Sequence, residues 1–150
     1  MSIPVGVRNV PETPSNTRCE TVDACRLLCE HVLRITQFKR FTDVVASEDI
    51  RLYVRQLAVD AFISAQVANE QRADKDPSLA EVRRDNQLVM LDSLKRMLPA
   101  IYVAQKAFHL RAGSVEYWTK LVAKALDIAK KWYRDDRIRY RYPKAQTEGE

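Results

Sequence analysis

The residues best equipped for chemistry crowd into one stretch: Trp132-Tyr133-Arg134-Asp135-Asp136-Arg137-Ile138-Arg139-Tyr140-Arg141-Tyr142-Pro143-Lys144. Five cations and three tyrosines fall between Tyr133 and Lys144. Guanidinium and ammonium groups neutralise phosphates, and aromatic faces stack on bases, so this composition suits a polyanion. It equally suits a solvated helix end, where arginines complement the negative pole of the macrodipole. The cations continue upstream through Lys120, Lys124, Lys130 and Lys131, and residues 120–144 hold nine Lys or Arg against three Asp. A face solvated for its own sake usually balances its cations with acids, so the imbalance favours a polyanion. On this reading Lys124, Lys131, Arg134, Arg137, Arg139 and Arg141 contact phosphate, and Tyr140 and Tyr142 stack on bases. Arg83, Arg84, Lys95 and Arg96 are second candidates, for partner or template contact. Asp135-Asp136 reads as an exposed doublet that balances Arg134 and Arg137.

Other chemistries find little purchase. Cys19, Cys25 and Cys29 are odd in number, which argues against a disulfide framework. On a helix Cys25 and Cys29 share a face, but His31 lies most of the way round the other side, and no second ligand pair exists for zinc. The expectation is core cysteines and no metal. Neither His31 nor His109 has a Glu three residues before it, so the di-iron bundle pattern is missing. There is no P-loop, no G-x-S-x-G and no H-E-x-x-H. A dyad of Cys25 or Cys29 with His109 would lack an orienting carboxylate or amide. The expectation is a protein with no catalytic residues and no cofactor.

The elements that must position these residues are helical. Only Gly6, Gly113 and Gly149 are glycines among 150 residues, too few for a glycine-rich sheet fold or phosphate loop. The net charge of +5 permits nucleic acid, an anionic membrane or an acidic protein as partner. Met1-Ser2-Ile3-Pro4 lacks the features of a secretory signal, and no apolar run is long enough to cross a bilayer. A cytoplasmic protein of bacterial or phage scale, without membrane contact, is expected.

Residues 1–20, with Pro4, Pro11 and Pro14, show no periodicity and read as extended or disordered; 21–140 read as the folded domain and 141–150 as a flexible tail. Helix one is predicted over Val22 to Thr36, with Cys25, Cys29 and Val32 inward. Phe38 and Phe41 mark the turn after it and are expected to plug the bundle end. Ser47 is the expected N-cap of helix two, which runs to about Arg72. Asp76 followed by Pro77 starts helix three, which continues to about Leu110 with Leu88, Leu91, Leu94, Leu98, Ile101, Ala104 and Phe108 inward. Pro99 predicts a kink. Gly113 suits the left-handed position closing helix three, and Ser114 suits the cap opening helix four. In helix four, Val115, Trp118, Val122, Ala125, Ala129 and Trp132 form one stripe, with Leu121 and Ile128 beside it. Four such helices joined by short links predict an all-α, antiparallel up-down-up-down four-helix bundle.

Several landmarks fall in a recognisable order. His31-Val32-Leu33-Arg34-Ile35-Thr36 closes helix one, and Ala68-Asn69-Glu70 ends helix two. Gln87-Leu88, Gly113-Ser114 and Tyr117-Trp118 follow, then Trp132 with Asp136-Arg137 and Arg139-Tyr140. Over about residues 22–140 this resembles the accessory variability determinant (Avd) four-helix-bundle family of diversity-generating retroelements. The family's Lys-Ile-Thr helix ending looks like Arg34-Ile35-Thr36, and its closing Trp, Asp-Lys and Arg-Tyr look like Trp132, Asp136-Arg137 and Arg139-Tyr140. The resemblance implies a homopentameric ring with a positive surface. It also implies an error-prone reverse transcriptase as partner, and RNA or complementary DNA bound with little sequence preference, in support of mutagenic copying of a template-repeat RNA. Pro99 and the proline-rich 1–20 segment depart from the pattern. Two alternatives stand beside this: a helical protein–protein interaction module that binds no nucleic acid, and the similar bundles encoded in ribosomal-RNA intervening sequences.

Overall fold

The computed structural model describes residues 16–142, with side chains from residue 20 onward. Among these residues every regular element is helical: α1 Asn16–Ile35, α2 Lys39–Thr42, α3 Glu48–Glu70, α4 Ala80–Phe108 and α5 Ala112–Arg139. Short 3-10 turns, Val45–Ser47 and Pro77–Leu79, precede α3 and α4. The expectations for residues 1–15 and 143–150 lie outside the described residues. α1 starts at Asn16, inside the segment expected to be extended.

The long helices form because their apolar residues recur at three- and four-residue spacing, which places them on one face. α1 buries Cys25, Leu28, Cys29 and Val32. α3 buries Val54, Leu57 and the small residues Ala58, Ala61, Ala65 and Ala68, and its most extensive contact is with α4. α4 buries Met90, Leu94, Met97, Ile101, Ala104 and Phe108. α5 buries Trp118, Val122, Ala125, Ala129 and Trp132, as its stripe predicts, with Leu121 and Ile128 half-buried beside them. α1 packs on α3 and α5, and α4 packs on the same two helices. One continuous core results.

Several local expectations are corrected. The inward stripe of α4 runs through Met90 and Met97; Leu88 is only half-buried and Leu98 is 37% exposed. Phe41 packs against Phe108 with ring centroids 4.5 Å apart, but Phe38 is 52% exposed and plugs nothing. Ser47 occupies the N-cap position of α3 without a side-chain capping bond. Gly113 does not close α4. His109 takes the left-handed position, at φ 54°, and Gly113 sits in the first turn of α5, which Arg111 rather than Ser114 opens. Pro99 lies inside α4, where the sequence places it. Asp76 caps the 3-10 turn that leads into α4 rather than α4 itself, which follows Leu79 without a side-chain cap: its Oδ1 accepts from the Ser78 N–H at 3.1 Å, with Pro77 at the first position.

Hydrogen bonds between elements define two ends. At one, Arg55 Nη1 donates to Thr36 Oγ1 at 2.6 Å and to Leu33 O at 3.2 Å, and Arg40 Nη1 donates to His109 O at 2.8 Å. These bonds gather the exit of α1, the entry of α3 and the exit of α4; this is the α2 end. The exit of α3, the entry of α4 and the exit of α5 gather at the other, the tail end. No helix among the described residues is long and apolar enough to cross a membrane.

Candidate nucleic-acid interface

The interface starts from what α5 can expose. Its stripe from Trp118 to Trp132 faces the core, so the intervening positions meet solvent. Lys120, Lys124, Lys130, Lys131, Arg134, Arg139 and Arg141 are exposed, and Arg137 is half-buried. Residues three, four or seven apart are surface neighbours on a helix, so Lys120, Lys124, Lys131 and Arg134 form a connected row, with Lys130 flanking Arg134. Lys120 pairs with Glu116 at 3.7 Å and Lys131 with Asp135 at 3.1 Å. Among the described residues Lys124, Lys130, Arg134 and Arg141 have no carboxylate within salt-bridge distance. These four charges are the most available to a polyanion. The guanidinium of Arg137 lies 5.9 Å from the Tyr133 ring centroid and that of Arg139 5.8 Å from that of Tyr140. Cations held on aromatic faces in this way are ordered before any ligand arrives.

The rest of the candidate set is placed differently. Arg83 is 0% exposed and Arg84 6%, so neither is presented for partner or template contact. Asp136 is 1% exposed, so the Asp135-Asp136 doublet is not a surface pair. Tyr142 is 9% exposed and offers no free face for a base. Lys95 and Arg96 are exposed on α4; Arg96 Nε donates to Asp92 at 2.8 Å. None of the described contacts joins Lys95 or Arg96 to the α5 cations.

Arg83, Asp136, Gln87 and Tyr142 instead build a polar lock. Arg83 Nε donates to Asp136 Oδ2 at 2.6 Å, and Gln87 Nε2 donates to the same oxygen at 2.9 Å. Arg83 Nη1 donates to the carbonyls of Ala68 and Gln71, each at 3.1 Å. Carbonyls at a helix exit have no intrahelical partner, so Arg83 closes the end of α3. The Tyr142 hydroxyl donates to Gln87 Oε1 at 2.8 Å. The Arg83 guanidinium lies 5.2 Å from the Trp132 ring centroid and 5.4 Å from that of Tyr140. Burial, and then the Asp136 charge, push the Tyr142 phenol above its ordinary pKa, so it stays a donor. Arg141 makes this possible by adopting φ 51°, which lets the Tyr142 N–H reach Arg137 O at 3.3 Å in a Schellman-type closure.

Sequence reasoning passed over this lock, although a signal existed. Asp136 continues the spacing Trp118, Val122, Ala125, Ala129, Trp132. Arg83 and Gln87 continue Met90, Leu94, Met97, Ile101 in the other direction. A charged residue in phase with an apolar stripe is a buried charge awaiting its partner.

The cysteines are poorly suited to nucleophilic work. Burial, and secondarily Cys29, push the Cys25 thiol up to about 12, and burial followed by Glu30 raises Cys29. The thiolate, not the thiol, attacks. Among the described residues no group of three His, Cys, Asp or Glu could hold a metal ion. Comparison with protein-family models, curated proteins and solved structures returned no match. The family resemblance therefore rests on the sequence landmarks themselves.

Proposed function

We propose that this chain is a non-catalytic accessory protein that holds single-stranded RNA or complementary DNA along the exposed cations of α5, beside a reverse transcriptase. The observation that carries the reading is the group Lys124, Lys130 and Arg134 of α5 with Arg141 just beyond its end, exposed and without carboxylate partners among the described residues. The resemblance described above supplies the polymerase and the template-repeat RNA. In this proposal the four long helices alternate in direction, up-down-up-down, and copies of the bundle assemble as a ring, a pentamer by the same resemblance. The bonds at the two ends support the alternation, since each end joins exits to entries. Self-association has its own support: Val82, Val89 and Val103 on α4 are 45%, 49% and 44% exposed. Their spacings of seven and fourteen residues keep them near one line on the helix.

Phosphate binding by these cations releases counterions, so the logarithm of affinity should fall linearly with the logarithm of salt concentration. Changing Lys124, Lys131 and Arg134 together to Ala should weaken binding of a single-stranded RNA and flatten that slope by about 2. A filter-binding series with no salt dependence, or with the triple variant unchanged, would refute the strand-binding role. Tight capture of a protein partner after nuclease treatment, with no RNA shift, would replace it with a docking module for an acidic protein.

A further inference from the structure

At the α2 end the last turn of α1, α2 and the α4–α5 link surround an open cleft of about 470 Å³. That volume falls in the range of small-molecule sites. Its walls are aromatic: Phe38 and Tyr117, 52% and 55% exposed, flank it, and Trp118 contributes to its lining. Arg34, Arg40 and His31 also line it, and among the described residues no carboxylate does. Arg34 Nη2 lies 2.9 Å from His31 Nδ1, and Arg40 is held by its bond to His109 O. A guanidinium can only donate, so Nδ1 accepts and the neutral ring carries its proton on Nε2. Burial and the Arg34 charge lower the His31 pKa, in keeping with a neutral ring.

Two further features belong to residues that line the same space. α5 begins here, and Gly113 and Ser114 of its first turn line the cleft. No side chain caps this turn, and a Cβ on Gly113 would meet nothing within 4 Å, so the backbone N–H groups stand open to an incoming acceptor. Independently, Trp118 is 1% exposed and its indole Nε1–H has no hydrogen-bond acceptor. A buried donor left without an acceptor is costly; the Trp132 indole N–H is also without one, but of the two only Trp118 lines an open cationic, aromatic cleft that an acceptor can enter.

We infer that this cleft binds a small aromatic oxyanion, its ring between Phe38 and Tyr117 and its carboxylate or phosphate on Arg34 and the first turn of α5. The inference goes beyond the strand-binding reading and does not rest on it, because none of the α5 cations from Lys120 onward lines the cleft.

The chain has two tryptophans, Trp118 here and Trp132 at the far end, so the amide correlation spectrum of the ¹⁵N-labelled full chain carries two indole resonances. A Trp118→Phe variant assigns them. Titration with phenyl phosphate and with phenylacetate, against inorganic phosphate, should move the Trp118 resonance to saturation and leave Trp132 still. Whichever aromatic probe binds tighter identifies the head group. Arg34→Gln should weaken that probe about tenfold, the loss of one charge-assisted hydrogen bond. Phe38→Ala, at an exposed position, should weaken it as well. The inference is overturned if neither aromatic probe moves Trp118, or if both indoles shift alike. It is equally overturned if inorganic phosphate alone matches the aromatic probes, or if both variants bind like the parent chain.

Discussion

At the tail end Arg83, Gln87, Asp136 and Tyr142 hydrogen-bond into a buried network, with Arg83 Nη2 and Asp136 Oδ1 left without a hydrogen-bond partner, whereas at the α2 end Arg34, Arg40 and His31 surround open space. Both ends are rich in arginine and aromatic residues. They differ in one carboxylate: Asp136 faces inward at the tail, and no acid lines the α2 cleft among the described residues. Where a buried carboxylate meets the guanidinium, the cation becomes part of the interior and holds three helices together. Where none does, the charge stays available to something from outside. Residue type alone does not separate the two cases. The partner does.

The most direct way to break the comparison is Asp136→Ala. It strands Arg83, 0% exposed, without its counter-ion and should cost roughly 3–5 kcal/mol by urea denaturation. Arg34→Gln at the α2 end, on an exposed side chain, should stay within about 0.5 kcal/mol of the parent. Equal losses would erase the distinction between the ends. Tyr142→Phe removes the donor to Gln87 and leaves an orphaned amide oxygen, for an expected loss of about 1–2 kcal/mol in the same assay. Arg141→Gly should stabilise by about 1 kcal/mol, because glycine adopts φ 51° without the Cβ clash that arginine carries. A loss of stability there would mean that the Arg141 side chain supports the closure.

The smallest expected effect is a pH dependence at the α2 end. His31 has its folded pKa lowered by burial and by Arg34, so the unfolded chain binds its proton more readily. Its contribution is neutral above the ordinary histidine range and becomes destabilising as pH falls through that range toward the lower folded value. The urea midpoint should therefore drop on acidification below about pH 6.5, with part of the slope removed in His31→Gln. An aromatic oxyanion beside His31 would favour its protonated form and shallow that slope.

Much of the architecture could be read from periodicity. The 118–132 stripe of α5 and the Asp76-Pro77 start signal are local, and local rules decide them. The phase of α4 was harder, because Leu98 and Met97 are adjacent and only the partner helices choose between them. The turn at 109–114 defeated residue preference: His109 takes the left-handed position that Gly113 was expected to fill. For the interface, Lys124, Lys131 and Arg134 needed only helical phase to be placed on the surface. Arg83 and Asp136 needed a contact across 53 positions of sequence, invisible to any local window. The α2 cleft was illegible for the same reason, since residues from α1, α2 and the α4–α5 link meet only in three dimensions.

Because the carboxylate that satisfies Arg83 sits at position 136, the last turns of α5 hold one residue in the interior even though Arg134 and Arg139 around it are exposed, however dispensable they look on paper. Trimming the C-terminus before that residue, a common step when preparing small proteins with charged ends, would withdraw a keystone rather than a fringe. Tags and fusion joints are better placed after position 142, where the last described aromatic has already docked.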